Sequence, residues 1–208
     1  MDLAVAFVVL AGVNLMGAIS PGPSFVVQAR LSAAHTRRAG VFSAFGMGFG
    51  AVVWAALSML GFAILMREAA ELYTALRLAG GAYLVYLGLM LWRNATVPLA
   101  EIRVVPGGAV SDAGAFRVGL FTALSNPKMA AFFASVYMTV LPPDPPLWFK
   151  VAACGAAFAI ETIWYAVVAL AFSTGAARRA YGRFKTWIDR AAGGVIAALG
   201  VGIMVPGR

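Results

Sequence analysis

Residues 13–23 have the sequence VNLMGAISPGP, and residues 118–128 have the sequence VGLFTALSNPK. When the first segment is shifted by 105 residues, four of its first eight positions are identical to the second, and a break containing proline follows in both. A shift of 113 places Arg77–Gly81 on Arg190–Gly194. Each match is weak alone, because small and apolar residues dominate. Their common order indicates two related halves.

The composition excludes a water-soluble domain and a disordered chain. Apolar residues make up 62% of the 208 residues and charged residues 12%, whereas soluble domains are about half apolar and about a quarter charged. Disordered chains need low hydrophobicity and high net charge. Several apolar windows reach the length of about 20 residues that a helix needs to cross a bilayer. The chain is therefore expected to be an integral membrane protein.

Apolar windows bounded by charges, Gly and Pro predict six membrane spans. Continuous runs such as 44–66 lack an alternation of period two, which favours helices over the strands of a barrel. The predicted spans are 3–20 with a continuation to 34, 40–66, 72–92, 116–141, 147–173 and 187–206.

The spans divide into two sets of three. A linker rich in Pro and Gly covers about residues 94–115, between repeat one (about 1–93) and repeat two (about 116–208) of a single transmembrane domain over 1–208. An odd number of spans per repeat gives the repeats opposite orientations, as in many secondary transporters. The predicted fold is thus an all-α integral membrane protein with six transmembrane helices in two inverted three-helix repeats. A duplication kept only for folding is the alternative.

Basic residues are concentrated between the spans, where they orient a membrane protein and meet anionic lipid headgroups. The net charge of +8 therefore predicts membrane lipid, and not nucleic acid, as a partner. Eleven Lys and Arg residues lie on the connections after spans one, three and five, and four lie on the opposite side. This count places both termini outside the cytoplasm. The connection over 173–190 is expected along the membrane surface. The N-terminus lacks a basic region, so the first span is expected to be retained.

The sequence offers few groups for metal or enzyme chemistry. Cys154 and His35 are the single cysteine and histidine, which argues against a disulfide, a CxxC pair and a thiolate zinc site. We expect no metal and no cofactor. The motifs HExxH, GxSxG and a glycine-rich nucleotide loop are absent, which argues against a membrane-embedded enzyme. The sequence leaves open an ion or metal-cation exporter and a non-transporting scaffold.

Glycines in the spans predict close helix contacts. Gly46 and Gly50 form the pattern GxxxG, which is common and has two interpretations. Packing inside the chain is favoured over the interface of a homo-oligomer.

Proline breaks spans one and four at corresponding places. Such paired breaks are the best sequence pointer to a transporter's binding site. Ser20 and Asn126 each precede a proline and are predicted to cap a second half-helix. Its unpaired N–H groups would suit an anion such as a carboxylate, although a simple kink is the alternative. The predicted substrate-binding residues are Ser20, Pro21, Gly22, Pro23, Ser24, Asn126, Pro127 and Lys128.

Two ionisable residues, Lys128 and Glu161, are predicted to lie inside the membrane and to face the protein interior or a water-filled cavity. In the functional interpretation Lys128 holds the carboxylate of a substrate and Glu161 binds a proton or an amine. In the alternative interpretation, Lys128 and Glu161 form an ion pair whose only role is to hold two helices together. Neutral side chains are predicted either to line the site or to bridge helices: Asn14, Gln28, Ser125 and Thr162.

These features resemble the lysine-exporter and homoserine/threonine-resistance (LysE/RhtB) family of bacterial amino-acid efflux proteins. The resemblance rests on Ser20-Pro21-Gly22-Pro23, on the run LAGGAYLVYLG at 78–88 and on Asn126-Pro127-Lys128, in this order along a chain of about 200 residues. It implies export of amino acids or close derivatives from the cytoplasm, driven by proton exchange, across the bacterial inner membrane. The family pattern often has an aspartate where this chain has Glu161, and the longer carboxylate bears on substrate size and coupling.

Overall fold

The computed structural model describes residues 2–20, 22–68, 70–96, 110–142, 144–173 and 175–205. These residues form eight α-helices and no strand, which confirms the all-α class. The helices are α1 (Leu3–Ile19), α2 (Pro23–Ala34), α3 (Arg37–Glu68), α4 (Ala70–Asn94), α5 (Asp112–Leu124), α6 (Pro127–Val140), α7 (Leu147–Phe172) and α8 (Gly175–Met204).

Two helical segments of the described chain are by themselves long and apolar enough to cross a membrane. They are Arg37–Gly61 within α3 and Leu147–Phe172, which is α7. Helix α1 and residues Pro23–Ser32 of α2 pass the same test together, as a pair bent by 60°. Length and composition therefore give two or three candidate spans, and the six spans in two inverted repeats stay a prediction.

The second half of the first broken helix begins later than predicted. Helix α1 ends at Ile19, with Ser20 as its C-cap, and α2 begins at Pro23 with Gly22 as its N-cap. The prediction that Ser20 caps the second half-helix is therefore wrong. The reason is steric, because a residue before proline is disfavoured in the helical conformation, and Gly22 is extended. Pro21 lies outside the described residues.

Helix α8 begins before the last predicted span, and the location of residues 173–190 along the membrane surface stays a prediction. The helix runs without a break from Gly175 to Met204, so most of the predicted surface connection over 173–190 is helical and continuous with the last predicted span. The segment contains no proline after Gly175 and is rich in Ala, Arg and Lys, which favour helix. Its charges are typical of a connection, but they do not interrupt the helix.

Helix α3 packs against α5, α6 and α7, and glycine makes the closest of these contacts. A Cβ atom placed on Gly46 would collide with the backbone of Phe116 in α5, and one placed on Gly50 would collide with Ala123. The glycine pattern therefore serves packing inside the chain, as predicted. On another side of α3, a Cβ atom at Gly48 would collide with Thr162 of α7.

Helices α4 and α8 form the second closely packed pair. A Cβ atom built on Gly88 would lie 2.5 Å from the Gly193 carbonyl oxygen, and one built on Gly200 would lie 2.6 Å from the Gly81 carbonyl oxygen. Because backbone approaches backbone at both levels, the register of α4 against α8 is closely defined. This pairing fixes where the side chains of α8 meet the C-terminal end of α4.

We expect Gly46→Ala to lower the melting temperature of the purified protein by several degrees. The added methyl group meets backbone atoms of Phe116 and Leu120, which cannot rotate away, and overpacking of this kind costs about 1–3 kcal/mol. Gly155→Ala is the matched control, since a Cβ atom there has no neighbour within 4 Å. Thermal unfolding in detergent, followed by loss of the monodisperse peak, gives the comparison. Equal melting temperatures for the two variants would contradict the close α3–α5 contact.

Candidate functional site

The two helix breaks lie side by side. Lys128, in the first turn of α6, donates from Nζ to the carbonyl oxygen of Ser20 at 2.8 Å and to its hydroxyl at 2.6 Å. Asn126 donates from Nδ2 to the Ser24 hydroxyl at 2.7 Å. The bonded residues are 102 to 108 positions apart in sequence. The break between α1 and α2 and the break between α5 and α6 therefore form one structural unit.

Asn126 and Pro127 start α6 in the way the sequence predicts. Pro127 lies in the first turn, and the Asn126 side-chain oxygen accepts a hydrogen bond from the Lys128 N–H at 3.0 Å. The Asn126 carbonyl accepts the N–H groups of Met129 at 3.0 Å and Ala130 at 3.1 Å. The expectation of unpaired N–H groups is therefore wrong for this first turn of α6. The group of α6 that can bind an anion here is the ammonium group of Lys128.

Each break also leaves carbonyl groups without a partner in their own helix. Away from water, these groups need hydrogen-bond donors from elsewhere in the protein. The Ser20 carbonyl receives its donor from Lys128. The Ala123 carbonyl, near the end of α5, accepts the indole N–H of Trp54 at 3.1 Å and the Asn126 N–H at 3.2 Å. Each break is thus stabilised by a side chain from a helix distant in sequence.

Gly22 provides the space through which the Lys128 side chain reaches Ser20. A Cβ atom at this position would lie 3.1 Å from Cδ and 3.3 Å from Nζ of Lys128. A larger residue would therefore press on the lysine side chain. Glycine at this position leaves room for the lysine side chain, which would have to shift by a few tenths of an ångström to fit an alanine.

A small cavity lies where the breaks meet. Its polar wall contains Ser20, Asn126, Lys128 and Glu161, and Phe132 and Phe133 form part of its apolar wall. The cavity volume is about 20 Å³, which is roughly the space that one water molecule requires. The cavity in this conformation is therefore too small to hold an amino acid.

Glu161 brings a carboxylate to this cavity from α7. Its side chain is buried, with 6% of the residue exposed, and Oε2 has no hydrogen-bond partner within the described part of the chain. The ion pairs in that part are Arg38–Asp112 and Lys185–Asp189. Lys128 and Glu161 interact electrostatically without forming a direct pair. The alternative in which they only bind two helices together therefore has no contact to support it among these residues.

Other predicted polar residues lie in helix contacts and not in the cavity wall. Asn14 donates to the Tyr137 hydroxyl at 3.5 Å. Gln28 is fully buried and donates to the carbonyls of Gly40 at 2.7 Å and Tyr165 at 3.1 Å, which joins α2 to α3 and α7. Thr162 is buried against Gly48. Whether these side chains ever contact a substrate stays a prediction.

The remaining predicted residues divide by exposure. Ser24 is buried and bonded to Asn126, whereas Pro23, Ser125 and Pro127 are exposed. A role of these three in binding also stays a prediction.

One buried ion pair was not expected. Asp189 is 1% exposed and Lys185 is 8% exposed, and Lys185 Nζ lies 2.7 Å from Asp189 Oδ2. This pair was not predicted from the sequence, and the location of Lys128 and Glu161 inside the membrane stays a prediction. The spacing of four residues is a signal for a pair on one helix face. The surrounding segment is rich in charged residues, as surface connections usually are. The sequence alone therefore does not distinguish this buried pair from exposed charges.

Paired helix breaks that meet at charged residues are typical of the binding site of a membrane transporter. The comparison with known families agrees, since the model of the LysE type translocator family matches residues 15–207. The chain belongs to this family. Membership confirms the resemblance found in the sequence and confirms that the protein is a transporter and not an enzyme.

Individual relatives are similar over most or part of the chain. The uncharacterized membrane protein YahN of Escherichia coli K12 is 30% identical over 207 residues, which cover 100% of this chain and 92% of the relative. The threonine efflux protein of the same strain is 30% identical over 203 residues, with 96% and 97% covered. The homoserine/homoserine lactone efflux protein of Salmonella typhimurium is 28% identical over 129 residues, with 62% and 61% covered. No solved structure matches the chain.

Proposed function

We propose that this protein is a secondary active exporter that moves amino acids or close derivatives out of the cytoplasm in exchange for protons. One observation carries the proposal: Lys128 of the second broken helix bonds to Ser20 of the first, and Lys128 and Glu161 line the same cavity. Two relatives named for threonine efflux and for homoserine efflux support the substrate class.

The chemistry of Lys128 suits the carboxylate of an amino acid. Its ammonium group already donates to two oxygens of Ser20, so a substrate carboxylate can replace these acceptors without leaving the charge unpaired. Hydrogen bonds between charged groups contribute about 1.5–3 kcal/mol each. In this interpretation Ser20 holds the lysine between transport events.

Glu161 is the proposed proton-binding residue. Its free Oε2 is buried beside Lys128, and a buried carboxylate gains or loses its charge according to the cations around it. A proton on Glu161 favours one conformation and a bound substrate favours the other. Such differential binding is what couples two solutes through one conformational equilibrium.

The size of the cavity and the arrangement of the breaks support alternating access. A cavity of about 20 Å³ has to open before an amino acid binds. In the predicted inverted repeats, two three-helix units rock about this site and open it to each side in turn. The bacterial relatives and the 11-to-4 distribution of Lys and Arg support a location in the bacterial inner membrane with both termini outside the cytoplasm.

The test is counterflow with the purified protein in sealed vesicles. We expect vesicles loaded with unlabelled threonine to take up labelled threonine, and a panel of other amino acids inside the vesicles to rank the substrates. An imposed proton gradient should then drive net accumulation. Protein-free vesicles are the control. Counterflow with no amino acid of the panel would contradict the proposal, and stabilisation of the protein by a divalent metal ion would favour a metal exporter instead.

A further inference from the structure

Helices α1 and α6 pack against each other at three successive levels, and residue numbers fall along α1 as they rise along α6. The contacts are Ser20 with Lys128, Gly17 with Phe132, and Asn14 with Tyr137. The first and the last are hydrogen bonds, whereas the middle one is apolar. One turn of α6 beyond Lys128, an aromatic side chain therefore meets the opposite helix at a residue that has no side chain.

The ring of Phe132 fills the space between the two helices at the middle level. A Cβ atom built on Gly17 would collide with Cζ of the ring and would lie 2.7 Å from Cε1 and 2.9 Å from Cε2. Phe132 is 4% exposed, and the ring of Phe133 packs edge-on against it at 6.1 Å between centroids. Phe133 in turn lies against the ring of Tyr137. The Phe132 ring therefore reaches from α6 to the backbone of α1.

The polar contact and the apolar contact border the same cavity, because Ser20 and Lys128 line it together with Gly17 and Phe132. Lys128 and Phe132 are four residues apart on α6, so their side chains lie on one face of the helix, one turn apart. One turn is about 5.4 Å long. Since both residues belong to the same helix, this spacing is kept when the cavity enlarges. A molecule bound to the Lys128 ammonium group therefore has the Phe132 ring beside it.

An α-amino acid carries its side chain on the carbon atom next to the carboxylate. If the carboxylate binds Lys128, the side chain has to lie close to that contact, where the apolar lining includes Met129, Phe132 and Phe133. We propose that Phe132 is a specificity-determining residue, which limits the length of the side chain that an exported amino acid can carry. Because its ring reaches Gly17 on the opposite helix, a longer substrate fits only where the ring is displaced or shortened. This inference rests on the proposed function.

The test uses competitors that differ only in the length of an unbranched side chain, namely alanine, 2-aminobutyrate, norvaline and norleucine. Each competes with labelled threonine in the counterflow assay. In Phe132→Ala, we expect the affinity for norleucine relative to alanine to rise at least tenfold over the parental ratio, because one methylene group in an apolar pocket already changes discrimination by about tenfold or more. Phe132→Leu should give a smaller change in the same direction.

Phe149→Ala is the matched control for lost core packing. Phe149 is fully buried and packs edge-on against Phe7, outside the cavity wall, so its removal should destabilise the protein and keep the parental ratio of affinities. If Phe132→Ala is lost from the membrane, Phe132→Leu decides, since it retains an apolar side chain at this position. A parental ratio in the Phe132 variants overturns the inference. Absence of counterflow with every amino acid in the parent protein instead contradicts the proposed function.

Discussion

Replacement of Glu161 by Gln is expected to abolish accumulation driven by a proton gradient while counterflow continues. Gln has nearly the same shape but cannot carry a proton, and Oε2 of Glu161 makes no hydrogen bond within the described chain that the change would remove. We therefore expect a folded protein that exchanges substrate across the membrane without responding to pH. Vesicles with an imposed gradient measure accumulation, and the same vesicles without a gradient measure exchange.

Glu161→Asp is the matched control, because it keeps a titratable carboxyl group at residue 161 on a side chain that is one methylene shorter. It should retain gradient-driven accumulation at a reduced rate. Accumulation by the Gln variant equal to that of the parent would remove the proton role proposed for this residue. Loss of both exchange and accumulation would place Glu161 in substrate binding.

Replacement of Lys128 by Met is expected to raise the KM for amino acids at least tenfold. The substrate carboxylate loses a charge-assisted hydrogen bond, and a loss of about 1.4 kcal/mol already changes affinity tenfold. The variant also loses the bonds to Ser20 that join the two breaks. We therefore expect a lower melting temperature as well, measured on the same preparation.

Amino-acid amides separate the two effects, because they lack the carboxylate. Threonine amide should bind equally to the parent and to Lys128→Met, whereas threonine should bind at least tenfold more weakly to Lys128→Met than to the parent. Lys128→Arg keeps the positive charge and is expected to recover part of the affinity. A parental KM for threonine in Lys128→Met would rule out this residue as the carboxylate partner.

The signals that predicted the breaks are local in sequence. A proline in an apolar run removes a backbone donor whatever surrounds it, so the interruptions at Pro23 and Pro127 could be located from the sequence. The rule that a residue before proline avoids the helical conformation would also have assigned the cap to Gly22 and not to Ser20.

The burial of Asp189 could not be predicted in the same way. Its burial depends on α8 packing against α4, since Lys185 reaches carbonyls about 90 residues away in sequence. A charged segment at the end of an apolar run resembles a surface connection when these partners are unknown. By contrast, the N-cap predicted at Asn126 already implies that its side chain accepts an N–H group of the first turn of α6, so the expectation of unpaired N–H groups conflicted with that cap.

The bond between Lys128 and the Ser20 carbonyl has a consequence for biosynthesis. Ser20 is synthesised 108 residues before its donor, so this bond can form only after residue 128 has been made. In a gene divided at the linker, Ser20 and Lys128 would lie on separate chains, and the bond would form only when the two fragments assemble.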